Sequence, residues 1–308
     1  MTGGAGFIGS HLVARLLELG DEVVVIDDLR VRPLNPVLGQ LRVKSVREMD
    51  LDDLSGVETV YHLASHKSVP RSFDEPLEYL DNVDSGRHLL QLCADARVPQ
   101  LFVGSTCEVY GDTGLPRIPE SQGLAPLSPY AASKTALEMV SRAHQAAPNG
   151  GPAVTIVRFF NVYGPGERPD ALVPRMCANA LLRNELPIEG SGDQRRDFSH
   201  VSDVVRKLVE LRHAAYVAVI NFGSGNSKSV LEVAEILEEL QTGLKVRHLP
   251  GRCNEISEFR ADTSLQDRTL GGTAAPVDLV WGIRMTYEWW RDRDPDEAYR
   301  HILDEEVK

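Results

Sequence analysis

Gly3-Gly4-Ala5-Gly6-Phe7-Ile8-Gly9, running into a stretch (11–19) whose apolar residues recur at helical spacing, is the part of the chain that decides its fold. Such glycines let the backbone turn sharply and approach a pyrophosphate, whose charge the following helix amino terminus stabilises. A glycine-rich turn can also exist without any ligand, so the pattern by itself is weak. It gains weight from Asp27, about 20 residues further on at the end of the Val/Ile-rich run 22–26, where an acid can bind the ribose hydroxyls of adenosine. Asp27-Asp28 puts negative charge where NADP would carry its 2′-phosphate, so NAD is favoured over NADP. A turn of this kind also needs a hydrophobic strand in front of it, and only Met1 and Thr2 precede Gly3. A first strand upstream of these residues is therefore expected, because without one the central position of the sheet would stand empty.

Outward from the loop, short apolar runs alternate with helical patterns, the signature of βαβ units. Residues 22–26 (EVVVI), 59–63 (TVYHL), 100–103 (QLFV) and 154–159 (VTIVRF) read as parallel strands buried on both faces, and 11–19, 78–96 and 129–146 as the crossover helices. Beyond Gly164-Pro165 the pattern loosens, although 219–222 (VINF) reads as a strand returning to the sheet. The expected fold class is α/β, a doubly wound parallel (Rossmann) sheet with a smaller, interleaved α+β substrate domain. The expected division gives 1–165, with a returning segment at about 197–224, to the cofactor domain, and 166–196 and 225–308 to the substrate domain. The end of the chain, 295–308, reads as an amphipathic surface helix.

Composition bounds the chemistry. The 308 residues carry 33 Lys+Arg against 45 Asp+Glu, a formal charge of −12, which argues against a surface built to wrap nucleic acid. No run is long enough to span a bilayer and no secretory leader pattern is present, so a cytoplasmic protein without a membrane partner is expected. Cys93, Cys107, Cys177 and Cys253 form no C-x-x-C pair and no Cys/His cluster, which points to neither a disulfide framework nor a metal site.

Tyr130-Ala131-Ala132-Ser133-Lys134 sets Tyr130 and Lys134 on one face of the helix opened by Pro129. A cation near a phenol favours the phenolate and lowers a pKa that is ordinarily about 10. Tyr130 would then serve as an acid/base catalyst, although the same spacing occurs on many helices without chemistry. Here it follows a dinucleotide loop and a strand ending in Ser105-Thr106, at the carboxyl end where parallel sheets bind ligands.

Taken together, these residues resemble the extended short-chain dehydrogenase/reductases of the NAD-dependent sugar-nucleotide epimerase/dehydratase family. The resemblance runs through GGAGFIG, Asp27-Asp28-Leu29, Asp50-Leu51, His62–Ser65 (HLAS), Asn82, Ser105-Thr106, Tyr130/Lys134, 158–165 (RFFNVYGP) and 196–201 (RDFSHV). It implies NAD held by Gly3, Gly6, Phe7, Ile8, Gly9, Asp27, Asp28 and Leu29. Asp50 and Leu51 would flank the adenine, Leu63, Ala64 and Ser65 the pyrophosphate and ribose side, and Tyr130 and Lys134 complete the cofactor set. It further implies a UDP-sugar substrate, with Lys67, Ser105, Thr106 and Val173 in the substrate site and Asn161, Arg196 and Arg252 at the diphosphate, for which an arginine fork is physically suited. The bland reading makes these arginines surface ion pairs and His66-Lys67 two solvated residues. Relatives commonly pair through two cofactor-domain helices, so a homodimer is expected through 78–96 and 129–146. Two departures stand out: Asn82-Val83-Asp84-Ser85-Gly86 replaces Asn-Val-x-Gly-Thr, and Arg252-Cys253-Asn254-Glu255 replaces Arg-x-Gly-Asp.

Which reaction follows the first oxidation at sugar C4 depends on Ser105-Thr106-Cys107-Glu108-Val109-Tyr110-Gly111. Nucleotide-sugar 4,6-dehydratases carry Thr-Asp-Glu there, Asp assisting loss of the C6 hydroxyl and Glu removing the C5 proton; simple 4-epimerases carry small or hydroxyl residues. Here Glu108 is kept and Cys107 stands for the Asp. A 4-keto group acidifies the C5 hydrogen, so a carboxylate near C5 and a proton donor near C6 complete a β-elimination. A thiol, ordinarily near 8.5, is already protonated at neutral pH, whereas an Asp must be raised. The competing readings are a packing role for Cys107 and a structural salt bridge for Glu108. Consecutive strand residues face opposite ways, so both reach one substrate only if the backbone turns here. The catalytic set is thus Thr106, Cys107, Glu108, Tyr130 and Lys134. Within the family, Thr-Cys-Glu resembles the UDP-N-acetylglucosamine 5,6-dehydratases of tunicamycin biosynthesis, which implies hydride return to C4 and an exocyclic 5,6-ene product. A 4,6-dehydratase, a UDP-sugar 4-epimerase and a UDP-glucuronate decarboxylase remain the alternatives.

Overall fold

The structure is a computed structural model that describes residues 1–146, 151–251, 255–272 and 275–293. The chain begins in a sheet. After α1 (Phe7–Glu18) come the parallel pair β1 (Val24–Asp27) and β2 (Gln40–Val43), then β3 (Thr59–His62), the short α2 (Val69–Asp74) and α3 (Asp81–Asp95). β4 (Gln100–Thr106), α4 (Pro129–Gln145) and β5 (Ala153–Phe159) continue the alternation, and two-residue β6 (Val162–Tyr163) leads into α5 (Leu172–Arg183). β7 (Glu185–Glu189), β8 (Arg195–Asp197) and β9 (Ser199–His200) precede α6 (Val201–Leu211) and β10 (Val219–Phe222). The described chain closes with β11 (Ser227–Ser229), α7 (Val230–Leu240), β12 (Lys245–Leu249), α8 (Ser264–Thr269) and α9 (Leu279–Arg291).

β10-β5-β4-β3 form one continuous parallel run. The central position, between β1 and β3, is occupied only by the first residues of the chain. Thr2 bridges Ile26 on one side and His62 on the other, both in parallel register. Thr2 N–H donates to Tyr61 O (2.9 Å), Leu63 N–H to Thr2 O (3.0 Å) and Ile26 N–H to Met1 O (2.8 Å), so two residues join β1 to β3 beside the glycine loop.

Side-chain alternation along the strands explains why both faces are covered. Val60, Leu101, Val103 and Val154 pack with Leu89, Leu90 and Cys93 of α3 and Leu137 of α4. Tyr61, Phe102, Val157 and Phe222 face the other way, onto Leu12 and Leu16 of α1 and Val204 and Leu208 of α6. This is the doubly wound α/β fold expected. A separate core joins α5, α7 and α9 with β7 and β12 through Met176, Cys177, Ile188, Val233, Leu237 and Ile283.

Some boundaries differ from the sequence reading. α1 starts at Phe7 rather than residue 11, because the glycine turn delivers the chain straight into the helix; β4 runs on to Thr106. β2 escapes the pattern because QLRV alternates polar and apolar on an exposed edge. The helix expected over 295–308 lies outside the described residues, as does Cys253.

Candidate active site

The cofactor cradle is built by close approach. A Cβ on Gly3, which sits at φ +70°, would lie 2.5 Å from Ala64 N, and one on Gly9 would lie 2.1 Å from Gly3 O. Gly6, exposed, caps α1 without a side-chain partner, so the helix amino terminus is open to an anion. Asp27 is fastened to the loop: Oδ2 accepts Ala5 N–H and Oδ1 accepts Leu29 N–H, both at 3.0 Å. Burial nevertheless pushes its carboxyl above the usual range. Asp28 pairs with Arg30 at 3.0 Å. Asp50 caps the short turn Leu51–Leu54 through Asp52 N–H, leaving Leu51 half-exposed as an apolar surface of the kind an adenine covers. A glycine cradle, an uncapped helix end and an acid at the second strand together fit a dinucleotide.

Asn82 fastens the loop after β3 to the catalytic helix. Its Oδ1 accepts His66 N–H (2.8 Å) and the Ser65 hydroxyl (3.2 Å), and its Nδ2 donates to His66 O (3.1 Å) and Ser133 Oγ (3.0 Å). Ser65 is thereby positioned beside α4.

At the end of β4 the backbone turns as the chemistry requires. Thr106 caps a 3-10 turn over Cys107–Tyr110, its Oγ1 accepting Glu108 N–H at 3.2 Å. Thr106, Glu108 and Cys107 all act on the Tyr130 phenol, Thr106 lowering its pKa and the two acidic groups raising it. Of the five expected catalytic residues, Thr106, Cys107 and Glu108 act on the Tyr130 phenol, whereas Lys134 is engaged with the backbone of β4. Lys134 Nζ donates to Gly104 O at 2.9 Å, and burial lowers its ammonium to about 8. Tyr130 is pushed above the ordinary phenol value by burial and its acidic neighbours, the opposite of the direction expected from Lys134 alone. Cys107 is 4 % exposed and packs against Ile118, Phe160 and Phe259. Its thiol is raised well above the ordinary value by burial first and Glu108 second, while Arg196, a cation invisible from local sequence, acts to lower it.

The expected substrate residues divide. Asn161 has a buried Oδ1 with no hydrogen-bond partner among the described residues, as a polar ligand site would leave it. Ser105 turns the other way: strand alternation sends its hydroxyl to Glu138, at 2.5 Å, beneath the site. Val173 is 2 % exposed inside the α5 core, so its side chain faces apolar neighbours rather than a cleft. Lys67 is engaged with Asp170 at 3.2 Å. Arg196 donates to Ile256 O (2.8 Å), pairs with Glu255 and lies over the Phe259 ring. Arg252 lies outside the described residues.

Below the site runs a polar network not anticipated from sequence. Arg158 of β5 pairs with Glu138 at 2.6 Å and donates to the Tyr110 hydroxyl at 2.8 Å, which in turn donates to Asn221 Oδ1 at 2.6 Å. The available signal was spacing: Glu138 falls four residues after Lys134 on the face that carries Tyr130.

The chain matches the model of the "NAD dependent epimerase/dehydratase family" over residues 1–221. It is 58% identical, at a TM-score of 0.93, to the solved structure of TunA, described as an NAD-dependent NDP-hexosamine 5,6-dehydratase involved in tunicamycin biosynthesis; the match covers 96% of this chain and 98% of that one. MoeE5, solved with UDP-glucose and NAD, is 38% identical at a TM-score of 0.85, over 94% of this chain and 97% of that one. A dTDP-glucose 4,6-dehydratase of Streptomyces niveus is 32% identical over 97% of this chain and 96% of its own. With the glycine cradle, the Thr106–Tyr130 pair and a family match across the sheet, this chain belongs to the NAD-dependent epimerase/dehydratase family and is an NAD-dependent enzyme of sugar-nucleotide chemistry.

Proposed function

We propose that the protein is a UDP-N-acetylglucosamine 5,6-dehydratase. The observation that supports this reading is the 3-10 turn after β4, from which a carboxylate and a thiol, Glu108 and Cys107, both act electrostatically on the Tyr130 phenol. The 58% identity to TunA supports it from outside the site.

Bound NAD would supply hydride acceptance from C4 and hydride donation back to it. Gly3, Gly6, Gly9, Asp27 and the 63–65 loop would hold it. Tyr130 takes the proton of the C4 hydroxyl, with Thr106 acting to favour the phenolate. The resulting ketone acidifies C5, Glu108 removes the C5 proton, and the C6–O6 bond breaks as Cys107 protonates the departing hydroxyl, leaving a C5–C6 double bond and releasing water. Burial keeps Cys107 protonated at neutral pH, and the nearby Arg196 eases the thiolate formed after donation. The proton gained by Glu108 restores the thiol, directly or through water, so the site ends as it began. Tyr130 returns its proton as C4 is reduced, and the product is a 5,6-ene sugar nucleotide.

On this reading Asn161 and Arg196 take the diphosphate, and the protein pairs through α3 and α4, near which Leu77, Leu80 and Met139 are exposed. The deciding experiment supplies UDP-N-acetylglucosamine deuterated at C4. A product lighter by one water that retains the label at C4 supports the proposal. Label at C6 identifies a 4,6-dehydratase, a same-mass isomer a 4-epimerase, and carbon dioxide released from UDP-glucuronate a decarboxylase.

A further inference from the structure

We infer that Tyr110 and Arg158 are positioning residues that hold the elimination pair, Cys107 and Glu108, in register with the oxidation pair, Tyr130 and Lys134. The inference rests on the dehydratase reading above and extends it to the framework behind the site. The two pairs ride on different elements. Tyr130 and Lys134 belong to α4, Cys107 and Glu108 to the 3-10 turn after β4, and Tyr110 is the last residue of that turn.

One guanidinium joins them. Arg158 Nε and Nη2 engage both oxygens of Glu138, at 3.0 and 2.6 Å, two helical turns beyond Tyr130. Its Nη1 donates to the Tyr110 hydroxyl at 2.8 Å and to Glu120 O at 3.2 Å, and the guanidinium lies 4.7 Å from the centre of the Tyr110 ring. Tyr110, Glu138, Arg158 and Asn221 are each at most 2 % exposed. Ser105 and Asn221 complete the frame, through Glu138 and the Tyr110 hydroxyl respectively. A planar fork with fixed donor directions sets distance and angle together, which a point charge does not. These groups are buried, and their effect passes through the turn and the helix they connect.

The consequence is selective. Loosening the link leaves oxidation at C4 to α4 and disturbs the later step, because a reacting group displaced by about 1 Å can lose roughly 100-fold in rate. Tyr110→Phe removes only the hydroxyl and leaves Arg158 its bonds to Glu138 and Glu120. With UDP-N-acetylglucosamine it should form product roughly 10- to 100-fold more slowly while reduced cofactor, read by its near-ultraviolet absorbance, accumulates during turnover. Arg158→Lys keeps the charge opposite Glu138 but loses the fork, and should give the same accumulation; it serves also if Tyr110→Phe fails to fold. Product formation and NADH absorbance both unchanged in a folded variant overturn the inference. So does a slower reaction without NADH accumulation, since a merely structural role lowers both steps alike. The unaltered enzyme is run beside the variants: a same-mass product from it rejects the dehydratase reading, whereas a dehydrated product with indifferent variants rejects only the positioning role.

Discussion

Glu108 and Cys107 show how much depends on where a strand gives way to a turn. In a continuing strand their side chains would diverge, but from the turn capped by Thr106 both act electrostatically on Tyr130. Glu108→Gln keeps size and hydrogen bonding but removes the base. Dehydration should fall by about 10²- to 10⁴-fold, while reduction of NAD by substrate in a single turnover persists; loss of both would show that Glu108 acts earlier. Lys134 sets a second test. Its ammonium is lowered from 10.5 to about 8 by burial, so the folded protein holds fewer protons than the unfolded chain between those values. This residue's share of stability therefore grows as pH rises through that window. On the proposed reading Lys134 must be a cation to favour the Tyr130 phenolate, and that cation is lost over the same range, so kcat/KM should decline above about pH 8 without a parallel drop in Tm from this group.

Elements with strong periodicity were legible in the sequence, and those fixed by a partner were not. β3, β4, β5 and β10 announce themselves as Val/Ile/Phe runs because both faces of each are buried. β2, β8 and β11 are short and polar, and exist only because a neighbouring strand supplies their hydrogen bonds. The same distinction divides the site. Tyr130 and Lys134 share a helix face that spacing reveals, whereas the fates of Ser105, Val173 and Arg196 depend on what packs opposite them. For α1 the decisive quantity is the 2.1 Å that a Cβ at Gly9 would have to Gly3 O. Gly9→Ala improves helix propensity by about 1 kcal/mol, yet it forces the loop away from the helix end. NAD affinity should fall by at least an order of magnitude, or about 1.4 kcal/mol, in a calorimetric titration, with helical content by circular dichroism unchanged.

Across the whole molecule, Asp197 of β8 ties the returning chain together. Fully buried, its carboxylate accepts from Ser224 N–H (2.7 Å), Ser224 Oγ (2.6 Å), Gly225 N–H and Ala261 N–H (both 3.0 Å). Asp197→Ala strands several buried donors at once, and a loss on the order of 3 kcal/mol should appear in urea unfolding as a lower midpoint with the slope retained. The charge of −12 has a bearing on ligand capture as well, since the diphosphates of cofactor and substrate approach an acidic body. Local devices offset it: an open helix end, backbone amides and a few cations. Arg196 is the most telling of these, because Glu255 already serves as its counter-ion. On the proposed reading, diphosphate uptake at Arg196 exchanges one anion for another within the protein and frees no ion to the solvent. Added salt, meanwhile, mainly screens the long-range repulsion. UDP-sugar affinity should therefore be nearly flat, or rise slightly, as ionic strength increases, in contrast to the steep decline of polyanion binders that release condensed ions.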